Sequence, residues 1–151
     1  MWYNKIKKDL SELPNMMEYH EKQLMSARAE INEKGQVSQV MLKIPGIMEY
    51  RYNQLQDVDA ILEFLNLQLR IIKHKHYKKF FEGYGKALNS REAEKYSEAE
   101  DDVIDMETII NEVALIRNKW LGVIKALETR HYVLSNVSRL QSAGVGGDFH
   151  V

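Results

Sequence analysis

Between Arg70 and Lys86, six permanent cations stand against a single carboxylate, Glu82, and four aromatic rings are interleaved with them. Cations attract phosphate and displace its counterions, while aromatic faces stack on unpaired bases. Gly83 and Gly85 let a backbone come close. Together these are the requirements of contact with a single strand without readout of its sequence. The candidates for that contact are Arg70, Lys73, Lys75, Tyr77, Lys78, Lys79, Phe80, Tyr84 and Lys86. The same residues also suit the solvated C-terminal end of a helix, where cations complement the dipole and Phe80 and Phe81 belong to a core.

An acidic stretch follows, with Glu92, Glu94, Glu98, Glu100, Asp101, Asp102, Asp105, Glu107 and Glu112. Paired carboxylates four apart can hold divalent cations or exchange protons. Here no histidine stands at ligand spacing and no glycine-turned calcium loop is present. The stretch therefore reads as a solvated face, or as a surface that meets the basic stretch of a neighbouring subunit and sets register. His74 and His76 flank Lys75, but on a helix their rings diverge, so no metal site is expected. No serine sits in a nucleophile elbow, and no GxxxxGK or GxGxxG cradle exists. The chain reads as non-enzymatic, without metal or cofactor; a metal-dependent enzyme on the carboxylates is a remote alternative.

These residues must be carried by helices. The chain holds only two prolines and eight glycines in 151 residues. From Met106 the apolar positions advance by three and four: Met106, Ile109, Val113, Ile116, Trp120, Val123, Leu127, then Leu134 and Val137 after the charged Arg130. That is the period of one helical face. The pattern predicts a helix over about 100–142, a rod of roughly 60 Å at ~1.5 Å per residue. Such a rod is too long for the short preceding domain to cover. Those nine residues are thus expected to form an oligomerisation seam, as in a coiled coil.

The remaining elements follow from breakers and caps. Met1 to Glu12 is expected to be a short amphipathic helix stopped or kinked at Pro14, and Asn15 to Lys34 a second helix capped by Gly35. Gln36 to Gly46 reads as an extended connector, with one short strand near 36–45 and a turn at Pro45-Gly46. A helix over Ile47 to Gln56 gives way to a stronger one, from Ala60 to Phe81, capped by Asp57 and Asp59 and apolar on most sides. Ser90 opens a short helix through Ser97. The fold class is all-α and elongated. It divides into an N-terminal arm and connector (1–46), a helical core with the long C-terminal helix (47–144), and a loose tail (145–151).

Charge nearly cancels, at net −1 with 28% charged residues, so overall charge points to no partner. The chain has no cysteine, which fits a reducing cytoplasm. Its first ten residues lack an apolar run and are not expected to be a signal peptide, and no stretch is apolar enough to span a membrane.

One set of residues carries a family likeness. The run Lys75-His76-Tyr77-Lys78-Lys79-Phe80-Phe81-Glu82-Gly83 is followed by Arg91-Glu92-Ala93-Glu94-Lys95-Tyr96-Ser97-Glu98. Then come Trp120-Leu121-Gly122-Val123-Ile124-Lys125-Ala126-Leu127 and a close at Arg139-Leu140-Gln141-Ser142-Ala143-Gly144. This ordered set, within Leu65 to Gly144, resembles the UvsY family of recombination mediators of T-even-like phages, the marine T-even-like phages in particular. The resemblance implies a small helical protein that closes into a ring of six or seven through its C-terminal helices, in the cytoplasm of the infected host cell. It implies binding to single-stranded DNA, to the phage RecA-like recombinase and to the phage single-strand-binding protein. The implied task is loading recombinase onto covered strand during phage recombination, repair and replication. The family's DNA-contacting basic residues precede the aromatic pair; Lys75 matches a lysine, the family's arginine falls on Tyr77, and Lys78 and Lys79 stand beside it. The alternative is a helical structural or adaptor protein, such as a phage assembly factor, with no affinity for DNA.

Overall fold

The structure, a computed structural model, describes residues 1–83 and 88–144. Every regular element among them is a helix: α1 (Trp2–Lys8), a 3₁₀ turn (Leu10–Glu12), α2 (Leu13–Ile31), α3 (Val37–Gly83), α4 (Ser90–Glu98) and α5 (Asp101–Ser142). The all-α class and the long C-terminal helix are as the periodicity predicts. The described residues contain no strand segment, so the expected extended piece near 36–45 is corrected: α3 begins at Val37 and runs through it. The reason is tertiary. Val37, Val40 and Ile44 share one helical face at spacings of three and four, and that face is buried with Leu134 of α5. Burying it outweighs the cost of Pro45 inside the helix, of order 3 kcal/mol.

The residues group into two compact units. One joins Met1–Val58 to the part of α5 from Ile116 onward, and the other is Asp59–Leu115. The expected boundary at Gly46 is thus not a boundary but the interior of α3. The expected tail, 145–151, lies outside the described residues.

In the first unit, Pro14 occupies the first turn of α2, where its missing N–H costs nothing. The chain breaks earlier, at Asp9, whose carboxylate accepts from Ser11 N at 2.9 Å. α2 ends at Asn32, ahead of the expected Gly35. The core gathers Ile6, Met16, Leu24, Ala27, Ile44 and Val58 with Ile116, Trp120, Val123, Leu127 and Leu134. Arg51, 2% exposed, is the cation at its centre. It donates to both carboxylate oxygens of Glu30, at 2.6 and 2.8 Å, and to Gln23 and Gln54 at 2.9 Å each.

Asp57 does not cap its own helix, because it lies in mid-α3. Its two oxygens accept from Trp2 N at 2.7 Å and Tyr3 N at 3.0 Å. It thereby closes the N-terminus of α1, which Met1 leaves without a side-chain cap. α4 is capped by Asn89 rather than Ser90. Asn89 Oδ1 accepts from Glu92 N, and Glu92 accepts from Asn89 N in return.

The oligomerisation seam is the largest revision. Met106, Val113, Ile116, Trp120, Val123, Leu127 and Leu134 are all buried within the single chain, and Ile109 and Val137 partly so. The face expected to meet another copy is closed by the chain's own helices. The premise that the preceding segment was too short fails because α3 is itself a 47-residue helix. The stretch from Ala60 to Phe81 is likewise not buried on most sides: Ile61, Leu65 and Phe80 are inside, whereas Leu67, Ile71 and Phe81 are about half exposed.

Candidate nucleic-acid interface

The basic stretch occupies the last turns of α3, in the unit Asp59–Leu115. Its inward side is fixed by the acidic start of α5. Lys73 Nζ lies 2.7 Å from Glu107 Oε1. His76 stands between two carboxylates, with Nε2 2.8 Å from Asp102 Oδ1 and Nδ1 3.4 Å from Glu100 Oε2. The hydrogen bond from His76 holds the Asp102 carboxyl below the ordinary aspartate range. Glu100, Asp102 and Glu107 of the acidic stretch thus meet the basic stretch of their own chain, and Lys73 is not a free cation.

The aromatic residues divide by depth. Phe80 is 8% exposed and packs against Tyr96 of α4, with ring centroids 5.6 Å apart. A ring so covered has no face to offer a base, so Phe80 is withdrawn as a stacking residue. Lys79 Nζ sits 5.3 Å from the Phe80 centroid, over its ring. Phe81, 49% exposed, has the free surface that Phe80 lacks. Tyr77 lies parallel to it, centroids 5.6 Å apart and planes 11° apart, and its hydroxyl is 3.2 Å from Ser90 Oγ. Tyr77 therefore supports Phe81 and ties α3 to α4. Tyr84 and Lys86 lie outside the described residues.

What remains outward is a stripe. Arg70, His74 and Lys78 follow at steps of four, with Phe81 three further on and Lys75 at the flank; all are exposed. Arg70, Lys75 and Lys78 have no ion pair with a described carboxylate. The stripe covers about 16 Å of helix. On α4, Arg91 and Lys95 are also exposed, and Tyr96 is 53% exposed. Exposed Glu94, Glu98, Asp101 and Asp105 on α4 and α5 limit the positive surface to the outer face of α3. Phe81 was missed in the sequence because adjacent phenylalanines look alike until one is covered. The signal that could have found Phe81 is helical phase: it continues the stripe from Arg70, whereas Phe80 falls on the side of Leu65 and Lys73.

Comparison with known protein families, with curated proteins and with solved structures finds no match for this chain. What the site can do is read from its side chains. Among the described residues no three histidines or carboxylates gather as a metal-binding group. No described helix is long and apolar enough to cross a membrane. The face offers unpaired cations for phosphate and a half-exposed ring, backed by a second ring, for a planar group.

Proposed function

We propose that this protein binds single-stranded DNA through the outer face of the end of α3 and acts, without catalysis, as a recombination mediator. The observation that supports binding is the pairing of exposed, unpartnered Lys75 and Lys78 with the half-exposed Phe81, held parallel to Tyr77. Each subunit offers few phosphate contacts, so binding by one copy is weak and sensitive to salt. Several copies on one strand would raise avidity, because later contacts become intramolecular. The mediator role, with a RecA-like recombinase and a single-strand-binding protein as partners, rests on the likeness of Lys75 to Gly83 and the segments after it to the UvsY family. A ring of copies would have to use surface other than the buried stripe of α5.

A second reading is a protein-binding adaptor. It is favoured by Leu67 and Ile71, 44% and 54% exposed beside the basic residues. Fluorescence anisotropy with an oligothymidine separates the two. The wild type should bind at low salt with a log-log salt slope of about −2, near −0.7 for each of roughly three phosphates. Lys75→Glu with Lys78→Glu should weaken binding at least about tenfold while circular dichroism stays unchanged. A flat salt response, or unchanged affinity in the double variant, would leave the adaptor.

A further inference from the structure

On α3, Ala60, Phe64, Leu67 and Ile71 follow at steps of four, three and four, the spacing of a coiled-coil seam. The seam faces away from Ile61 and Leu65, which are buried in the chain's own core. Leu67 and Ile71 are 44% and 54% exposed, and Ala60 and Phe64 are partly so. Two opposite charges run along one side of it. Glu63 and Arg70 are both exposed and stand two turns apart, about 10 Å along the helix. Neither has an opposite charge one turn away on α3, and neither has an ion pair among the described residues.

A surface that meets a copy of itself across a two-fold axis must carry its own complement. This one does when two copies of α3 run antiparallel with the axis between Phe64 and Leu67. The reversal sets Phe64 against Leu67 and Ala60 against Ile71, each pairing occurring twice. The same register brings Glu63 of one copy to Arg70 of the other, again twice. A parallel register would set Glu63 against Glu63 and Arg70 against Arg70, so charge selects the antiparallel one. The seam is about 17 Å long, which suits a weak, reversible dimer rather than a permanent one. Lys75 and Lys78 lie about 14 and 19 Å along the helix from the axis, past the end of the seam, where helices that cross at an angle diverge.

We propose that the outer face of α3 from Ala60 to Ile71 is a homodimer interface, on which a second copy of this chain packs antiparallel with two reciprocal Glu63–Arg70 ion pairs. The dimer does not rest on the oligonucleotide reading. It takes Arg70 from the phosphate contacts and leaves Lys75 and Lys78 on each copy, so that one assembly presents two basic faces. The test is sedimentation equilibrium of the full chain, without nucleic acid, from about 5 μM to about 1 mM. The mass should rise from one chain toward two with a Kd of order 100 μM. Glu63→Arg and Arg70→Glu, each at an exposed position, should each weaken association at least about tenfold while circular dichroism stays unchanged. An equimolar mixture of the two single variants, and the double variant that exchanges the charges, should associate about as the wild type does. Leu67→Glu should abolish the dimer and keep the helicity. A wild type that remains a single chain at about 1 mM would overturn the proposal and leave Leu67 and Ile71 to the adaptor reading. A dimer indifferent to Glu63→Arg or to Leu67→Glu, or a charge exchange that fails to restore association, would overturn it as well, by placing the contact elsewhere.

Discussion

His20 titrates at about 4 in the fold, because desolvation penalises the imidazolium and the nearby Asp57 charge offsets only part of that. An unfolded histidine titrates near 6.5. Between those values the unfolded chain binds the extra proton, so stability is full above about 6.5 and falls as pH drops toward 4. The full difference is of order 3 kcal/mol. Urea midpoints measured from pH 7 to 4.5 should fall progressively, and His20→Gln should flatten that profile even if its absolute stability is lower. The carboxyls of Asp9, Glu18 and Asp102, held low by their hydrogen bonds, act in the same direction but at more acidic pH, so the upper window belongs to His20. At the same scale, the difference between Phe80 and Phe81 was legible in the sequence only as helical phase, Phe81 continuing the stripe from Arg70. Two adjacent rings have identical local chemistry, and only the placement of α4 with Tyr96 covers one of them.

The shortest helix illustrates what an element needs from outside itself. α1 has seven residues, too few to be stable alone. It is held by burial of Ile6 and by Asp57 at its N-terminus. Asp57→Ala should cost about 1–2 kcal/mol and expose two backbone donors. Hydrogen exchange should then accelerate across Trp2–Lys8 and much less in α5; uniform acceleration would mean that Asp57 supports the whole unit. α3 presents the opposite case, since it carries Pro45 and Gly46 in its interior against local preference. A Cβ built on Gly46 meets nothing within 4 Å. Gly46→Ala should therefore stabilise the protein by about 0.5–1 kcal/mol, read as a higher thermal midpoint. A lower midpoint would show that the glycine answers a packing need.

For the whole molecule, the decisive fact is that the α5 stripe is closed within one chain. Trp120 is 0% exposed, donates to His20 and lies under the Arg51 guanidinium, 5.7 Å from its ring centroid. Trp120→Glu would bury an uncompensated charge, at a cost of several kcal/mol against a typical total of 5–15. The variant should lose helicity and cooperative melting by circular dichroism. If it instead stayed folded and only its mass in solution fell, the stripe would be an interface between copies after all.

By itself the sequence determined what is local. The period of three and four gave the long C-terminal helix, scarce proline and glycine gave an all-helical chain, and composition located the cationic, aromatic end of α3. Tertiary structure decided every question of partnership: what covers the α5 stripe, which helix Asp57 caps, that Pro45 lies within a helix, and which cations remain free once Glu100, Asp102 and Glu107 have engaged His76 and Lys73. The reason is physical. A helical period is written by neighbours within one or two turns, but the identity of the surface that buries a face depends on packing between residues far apart in the chain, as with His20 and Trp120, and no local pattern encodes that choice.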